Sequence, residues 1–242
     1  MAETLAVLNK KRWDNMHIPA ANGPKFKAVA DRLTAAKARY QVVEKATGVP
    51  WWFIAVTHQR ESSQNWNTYL GNGQSLGRKT TIVPKGRGPF KTWEEGAIDA
   101  LVNCPPYAAR NKDWTIGNAL ATLEKYNGLG YYKRNLPSPY LWAGTDQYVK
   151  GKFVADGVYD PNHVDTQLGV AGLLKFMGIF SSATATNAGV ATGAATGIGA
   201  IVYSVWNYGT SHWEYIVGGL GIVTIAWLLH SYFQSIKEQP VQ

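Results

Sequence analysis

Charge is concentrated in the first three quarters of this chain. After Lys175 the next charged residue is Glu214 and the next is Lys237, so residues 176–236 carry one charge in 61 positions. Divided near residue 185, the net charge of +8 separates into +9 before and −1 after. The averages of 45% hydrophobic and 17% charged residues therefore describe neither part. The division predicts a basic helical domain over residues 1–180, a small polar linker at 181–187, two transmembrane helices forming a hairpin over 188–233, and a short polar tail at 234–242.

Several classes are excluded at once. Ten Trp and thirteen Tyr are too many for a disordered chain, which lacks the apolar surface to offset its ordering entropy. A single cysteine, Cys104, excludes an intramolecular disulfide framework and a Cys-rich zinc site. The histidines at positions 17, 58, 163, 212 and 230 show no ligand spacing, so neither a metal nor another cofactor is expected. Residues 1–12 place Glu3 where a secretory signal has its basic region, and their apolar run is too short, so no cleavable export signal is expected.

The charge-poor part has the hallmarks of a membrane segment. Residues 215–233 are nineteen positions without a charge, about 28 Å at a helical rise of roughly 1.5 Å per residue. Trp213, Tyr215 and Tyr232 stand where interfacial aromatics belong. Upstream, Gly189, Gly193 and Gly197 recur every fourth residue, a small-residue stripe that lets helices touch in lipid and suits self-association. A soluble Gly/Ala linker is the alternative for this stretch. The hairpin is similar to phage holins, and it implies a protein held at the bacterial inner membrane.

The basic part is expected to be mainly α. One helix opens at Gly23-Pro24 and runs through Phe26, Val29, Leu33, Tyr40 and Val43 to Gly48; a second has Pro50 at its first position and continues to about Ser62. Thr92 and Glu95 have the spacing of a capping box, opening a third. A fourth covers about 115–126, and a fifth starts at Asp160-Pro161. The long connection 71–90 is expected to be a loop or a small β-hairpin around Thr80–Val83. It is cationic through Arg78, Lys79, Lys85, Arg87 and Lys91, so an anionic polymer or surface is its natural partner. No nucleic-acid motif accompanies the charge, and no nucleic acid is expected as a partner.

The segment 58–70 carries the most chemistry. Glu61 falls in the last turn of the second helix, where the negative end of the macrodipole and desolvation by aromatic neighbours both raise a carboxyl pKa. A general acid that protonates a glycosidic oxygen near neutral pH needs that property. The alternative is a solvated helix-terminal Glu paired with Arg60 or a lysine.

His58-x-Arg60-Glu61-Ser62, the Trp66-Asn67-Thr68-Tyr69-Leu70-Gly71-Asn72-Gly73 run, the loop 83–89 and Trp93-Glu94-Glu95-Gly96-Ala97 resemble phage-type endolysins of the lysozyme-like superfamily. Glu61-Ser62 also resembles the Glu-Ser pair of lytic transglycosylases, and Tyr126-Asn127-Gly128 is similar to their Tyr-Asn-Ala-Gly motif, although their Gly-Leu-Met-Gln segment is absent here. The resemblance covers about residues 24–178. It implies a lysozyme-like helical domain split by a groove, with Glu61 as catalytic residue, the 71–90 loop on one wall, and peptidoglycan glycan strands as substrate. Ser62, His58, Tyr126, Asn127, Tyr69 and Trp142 are the expected substrate-binding residues. The implied reaction is cleavage of the β-1,4 bond between N-acetylmuramic acid and N-acetylglucosamine, in the periplasm, by hydrolysis or by transglycosylation. A second carboxylate is not identifiable, with Glu94, Glu95, Asp99 and Glu124 as candidates by region. A non-catalytic wall-binding or membrane-permeabilising protein on the same scaffold is the alternative, and a chitinase-like activity a third.

Overall fold

The computed structural model describes residues 3–180. Helix α1 (Leu5–Asn15) starts at Thr4, whose hydroxyl accepts the Val7 N–H at 3.3 Å. It lies along α6 (Ile116–Tyr126). The approach is close because Gly117 has no side chain: a Cβ there would sit 2.6 Å from the carbonyl oxygen of Ala6.

The helix expected over 23–47 is divided into α2 (Gly23–Ala35) and α3 (Lys37–Thr47) at Ala36, with φ −87° and ψ 6°. Neither proline nor glycine stands at the break, and the apolar spacing runs through it, so tertiary packing imposes the bend. Phe26, Ala30 and Leu33 of α2 are buried, and α2 packs against α9 (Val170–Phe176); Tyr40 and Val43 of α3 face α4 (Trp51–Ser62) and α5 (Trp93–Asn103). Gly48 then ends α3 in the left-handed region at φ 72°, its N–H bonded to Glu44 O at 2.8 Å, as expected for a helix stop.

Helix α4 is the central element. Six consecutive residues, Phe53 to His58, are buried, which makes it apolar on nearly every side. It packs against α2, α3, α6 and α9. Pro50 caps it from one position earlier than expected. Its end is fixed by Ser63 and Gln64, both left-handed at φ 53° and 64°. Non-glycine residues enter that region at a cost. Here Gln64 is held by Arg32 Nε, which donates to its Oε1 at 2.7 Å, and by its own donation to Tyr40 Oη at 3.1 Å.

Thr92 caps α5 by accepting the Glu95 N–H at 3.2 Å. The Glu95 carboxylate returns to the N–H of Lys91 rather than of Thr92. After α6 the chain makes two short helices, α7 (Gly130–Lys133) and α8 (Pro139–Trp142), and then the antiparallel strands β1 (Lys152–Ala155) and β2 (Val158–Asp160). Gly157, at φ 71°, turns the hairpin. This corrects two expectations. Thr80–Val83 is not a strand, and the described hairpin lies at 152–160 instead. Asp160-Pro161 starts no helix, because the Asp160 carboxylate accepts the Asn162 N–H at 2.8 Å and closes a local turn; α9 begins ten residues later.

The expected fold class, a helical domain followed by two transmembrane helices, is also corrected. The architecture is mainly helical with two short strands, and no helix among the described residues is long and apolar enough to cross a membrane. The stretch 188–233 on which that expectation rested, the glycine stripe at 189, 193 and 197, the linker at 181–187 and the tail at 234–242 all lie outside the described residues.

Candidate active site

Helix α4 delivers Glu61 to a groove of about 620 Å³. Arg60 and Glu61 form its floor. Tyr126, Asn127 and Gly128, at the end of α6, line it together with Tyr131 and Tyr140; the hairpin residues Lys152, Phe153 and Asp156, with Asp165 and Gln167, complete the lining, and Phe153 packs on Tyr131 with ring centres 5.0 Å apart. The loop 71–90 contributes nothing to this groove, which corrects its expected place on the wall. The β1–β2 hairpin stands there instead.

Glu61 is partly exposed, and its Oε1 accepts a hydrogen bond from Tyr140 Oη at 3.0 Å. Burial pushes its carboxyl up to about 7, against the opposing pull of the Tyr140 bond and the Arg60 charge. Burial raises the pKa because the charged form loses more hydration than the neutral one. The Tyr140 phenol is itself held well above its ordinary value, first by burial and then by the neighbouring Glu61 charge.

Arg60 does not neutralise Glu61 by direct contact. Its guanidinium points away to Asp165, 3.1 Å distant, with both side chains almost fully buried, and lies 4.8 Å from the centre of the Tyr140 ring. Lys152 adds a second cation to Asp165 at 3.4 Å. Although burial opposes it, the Gln167 N–H and these two charges hold Asp165 below its usual value. Of the three groove carboxylates, then, Asp165 is held as an anion, Asp156 is exposed in the hairpin turn, and Glu61 has a pKa moved to neutrality.

Tyr126 is the other suggestive group. Its hydroxyl lies inside the groove wall, buried and without a hydrogen-bond partner among the described residues, and its pKa is raised by burial and by Glu61. A buried hydroxyl left unpaired costs about 1–3 kcal/mol, a cost that a ligand oxygen at this place removes. Asn127 lines the groove and donates from Nδ2 to Ser138 Oγ at 3.2 Å, which ties the end of α6 to the start of α8 and so positions Tyr140.

The groove thus brings together Glu61, Tyr126 and Asn127 from among the expected site residues, and leaves out the other four. His58 is fully buried: Nδ1 meets Tyr40 Oη at 3.1 Å, Nε2 meets Asn65 O at 3.0 Å, and the ring packs against Trp66 and Trp93. Burial lowers its pKa to about 4, so it is a neutral core imidazole. Tyr69 is buried and donates to Asp99 at 2.8 Å, and Trp142 is buried in the core. Ser62 donates back to His58 O at 3.3 Å and does not line the groove.

The regional candidates for a second carboxylate are likewise occupied elsewhere. Glu94 pairs with Arg39, Asp99 with Arg87, Glu95 with the Lys91 N–H, and Glu124 is buried against Asn9 at 2.9 Å. Neither Asp165 nor Tyr140 is singled out by the sequence. Tyr140 is 79 positions from Glu61, and no local motif announces the contact. Among the described residues no group of three His, Cys, Asp or Glu side chains is placed to hold a metal ion.

Comparison with protein-family models, with curated proteins and with solved structures gives no match to this chain.

Proposed function

We propose that this chain is a peptidoglycan-degrading glycosidase acting on the wall in the periplasm, with Glu61 as general acid and then base at the β-1,4 bond between N-acetylmuramic acid and N-acetylglucosamine. One observation carries the reading: a carboxyl poised near neutrality at the floor of an elongated groove, oriented by a tyrosine hydroxyl. Protonated Glu61 donates its proton to the glycosidic oxygen as the bond breaks. The carboxylate left behind, steadied by Tyr140, then takes a proton from the attacking oxygen.

That oxygen belongs to water or to a hydroxyl of the sugar itself. Paired-carboxylate mechanisms need a second free carboxylate near the bond. Asp165 is tied to Arg60 and Lys152, so a paired route draws on Asp156 of the exposed hairpin turn, and a route without it runs on Glu61 alone. Phe153 of the hairpin, half-buried, offers part of its ring for pyranose stacking, whereas Tyr131 and Tyr140 are buried.

Glu61→Gln preserves size and hydrogen bonding but holds no transferable proton. It is expected to abolish muropeptide release from purified sacculi while the circular dichroism spectrum is retained. Mass spectrometry of the products of the unaltered chain reads the chemistry: reducing ends mean hydrolysis, and anhydro ends mean transglycosylation. Sacculus binding without release, by the unaltered chain, overturns the enzymatic reading in favour of a wall-binding protein.

A further inference from the structure

The cationic loop that takes no part in the groove has a construction of its own. Residues 71–91 contain five cations and no acidic residue. Arg87 is engaged by Asp99 of α5. Arg78, Lys79 and Lys85 are exposed and make no hydrogen bond or ion pair among the described residues. At the tip, between these cations, stand Ile82 and Val83, 52% and 79% exposed. Single exposed aliphatics are ordinary; two in succession, ringed by unpaired cations, are not.

Part of the backbone of that tip is bonded from within. Gln74 Oε1 accepts the N–H groups of Thr81 and Ile82 at 2.8 and 3.2 Å, and Asn72 Nδ2 donates to the Ile82 carbonyl at 3.2 Å. The loop is closed below by Thr80 N–H to Arg87 O at 2.9 Å and Gly86 N–H to Thr80 O at 2.8 Å, and Thr80 Oγ1 donates to Pro84 O at 2.5 Å. Its base is fastened to α5 through Arg87 and Asp99. Each peptide group bonded in this way lowers the cost of moving the tip into a medium of low dielectric constant, where an unpaired one is costly.

We propose that the 78–87 loop is a docking element for an anionic lipid bilayer: Ile82 and Val83 enter the headgroup boundary while Arg78, Lys79 and Lys85 bind lipid phosphates. Charge complementarity selects an anionic surface. The exposed aliphatic tip selects a bilayer over a soluble polyanion, which presents no apolar phase for the tip to enter. The inference is independent of the reaction assigned to the groove.

The test uses the full chain with Val83→Cys labelled by an environment-sensitive nitrobenzoxadiazole probe, the natural Cys104 being buried. Vesicles of equimolar phosphatidylglycerol and phosphatidylcholine are expected to shift the probe emission to the blue, and phosphatidylcholine vesicles to leave it unchanged. Replacing Arg78, Lys79 and Lys85 by Gln in the labelled chain is expected to weaken the response about fivefold per cation, on the order of a hundredfold together. The idea is overturned if the probe stays in a watery environment while the protein sediments with anionic vesicles, since binding then lies elsewhere. It is equally overturned if heparin produces the same shift as the vesicles, which assigns the loop to a soluble polyanion.

Discussion

Glu61 and Tyr140 together set the pH at which the proposed chemistry runs. The carboxyl is pushed up to about 7, so the proton-donating form predominates below that pH and is lost as the pH rises through it. Activity on sacculi is expected to fall along a single ionisation above about pH 7. The Tyr140 hydrogen bond stabilises the charged carboxylate and so restrains the rise. Tyr140→Phe removes that restraint, and the alkaline limb of the rate profile is expected to move upward by about one pH unit. A limb that stays in place, or moves down, in the Tyr140→Phe profile shows that another group governs it.

At the scale of elements, the Arg60–Asp165 pair joins α4 to the segment that leads into α9. Both charges are nearly sealed from water, and Arg60 Nε has no partner of its own. Asp165→Asn leaves a guanidinium buried with its charge uncompensated, a change that typically costs about 3–5 kcal/mol. Urea unfolding monitored by tryptophan fluorescence is expected to show that loss, and a midpoint unchanged from the parent chain excludes the pair as a structural tie. The elements differ in how far the sequence announced them. Gly48, Thr92 and Gly128 mark helix ends by local chemistry, so α3, α5 and α6 stop or start near their expected positions. The break at Ala36 carries no such mark, because it follows from the different neighbours of α2 and α3. The hairpin at 152–160 is half exposed and alternates weakly, with the burial of Lys152 and Phe153 shading into exposed Val154 and Ala155. Glu61 was legible because its helix position and its flanking residues form a motif. Tyr140 and Asp165 were not, since tertiary folding alone brings them to it.

Across the whole molecule, one contiguous core runs from Met16 to Leu174 and draws on α2 to α6, α8 and α9. A core shared so widely predicts a single unfolding event for residues 1–180 expressed alone, with far-ultraviolet circular dichroism and tryptophan fluorescence superimposing in urea. Two separated transitions contradict a common core. The groove divides this molecule unequally for any effort to redirect it. On one wall, Ala155 and Asp156 are exposed, and their replacement disturbs no packed neighbour. On the floor, the residue beside Glu61 is moored to a carboxylate 105 positions away. A library of variants selected for a new glycan is therefore expected to accumulate its changes on the hairpin and to keep Asp165 unchanged, so that specificity drifts while the proton donor stays in register.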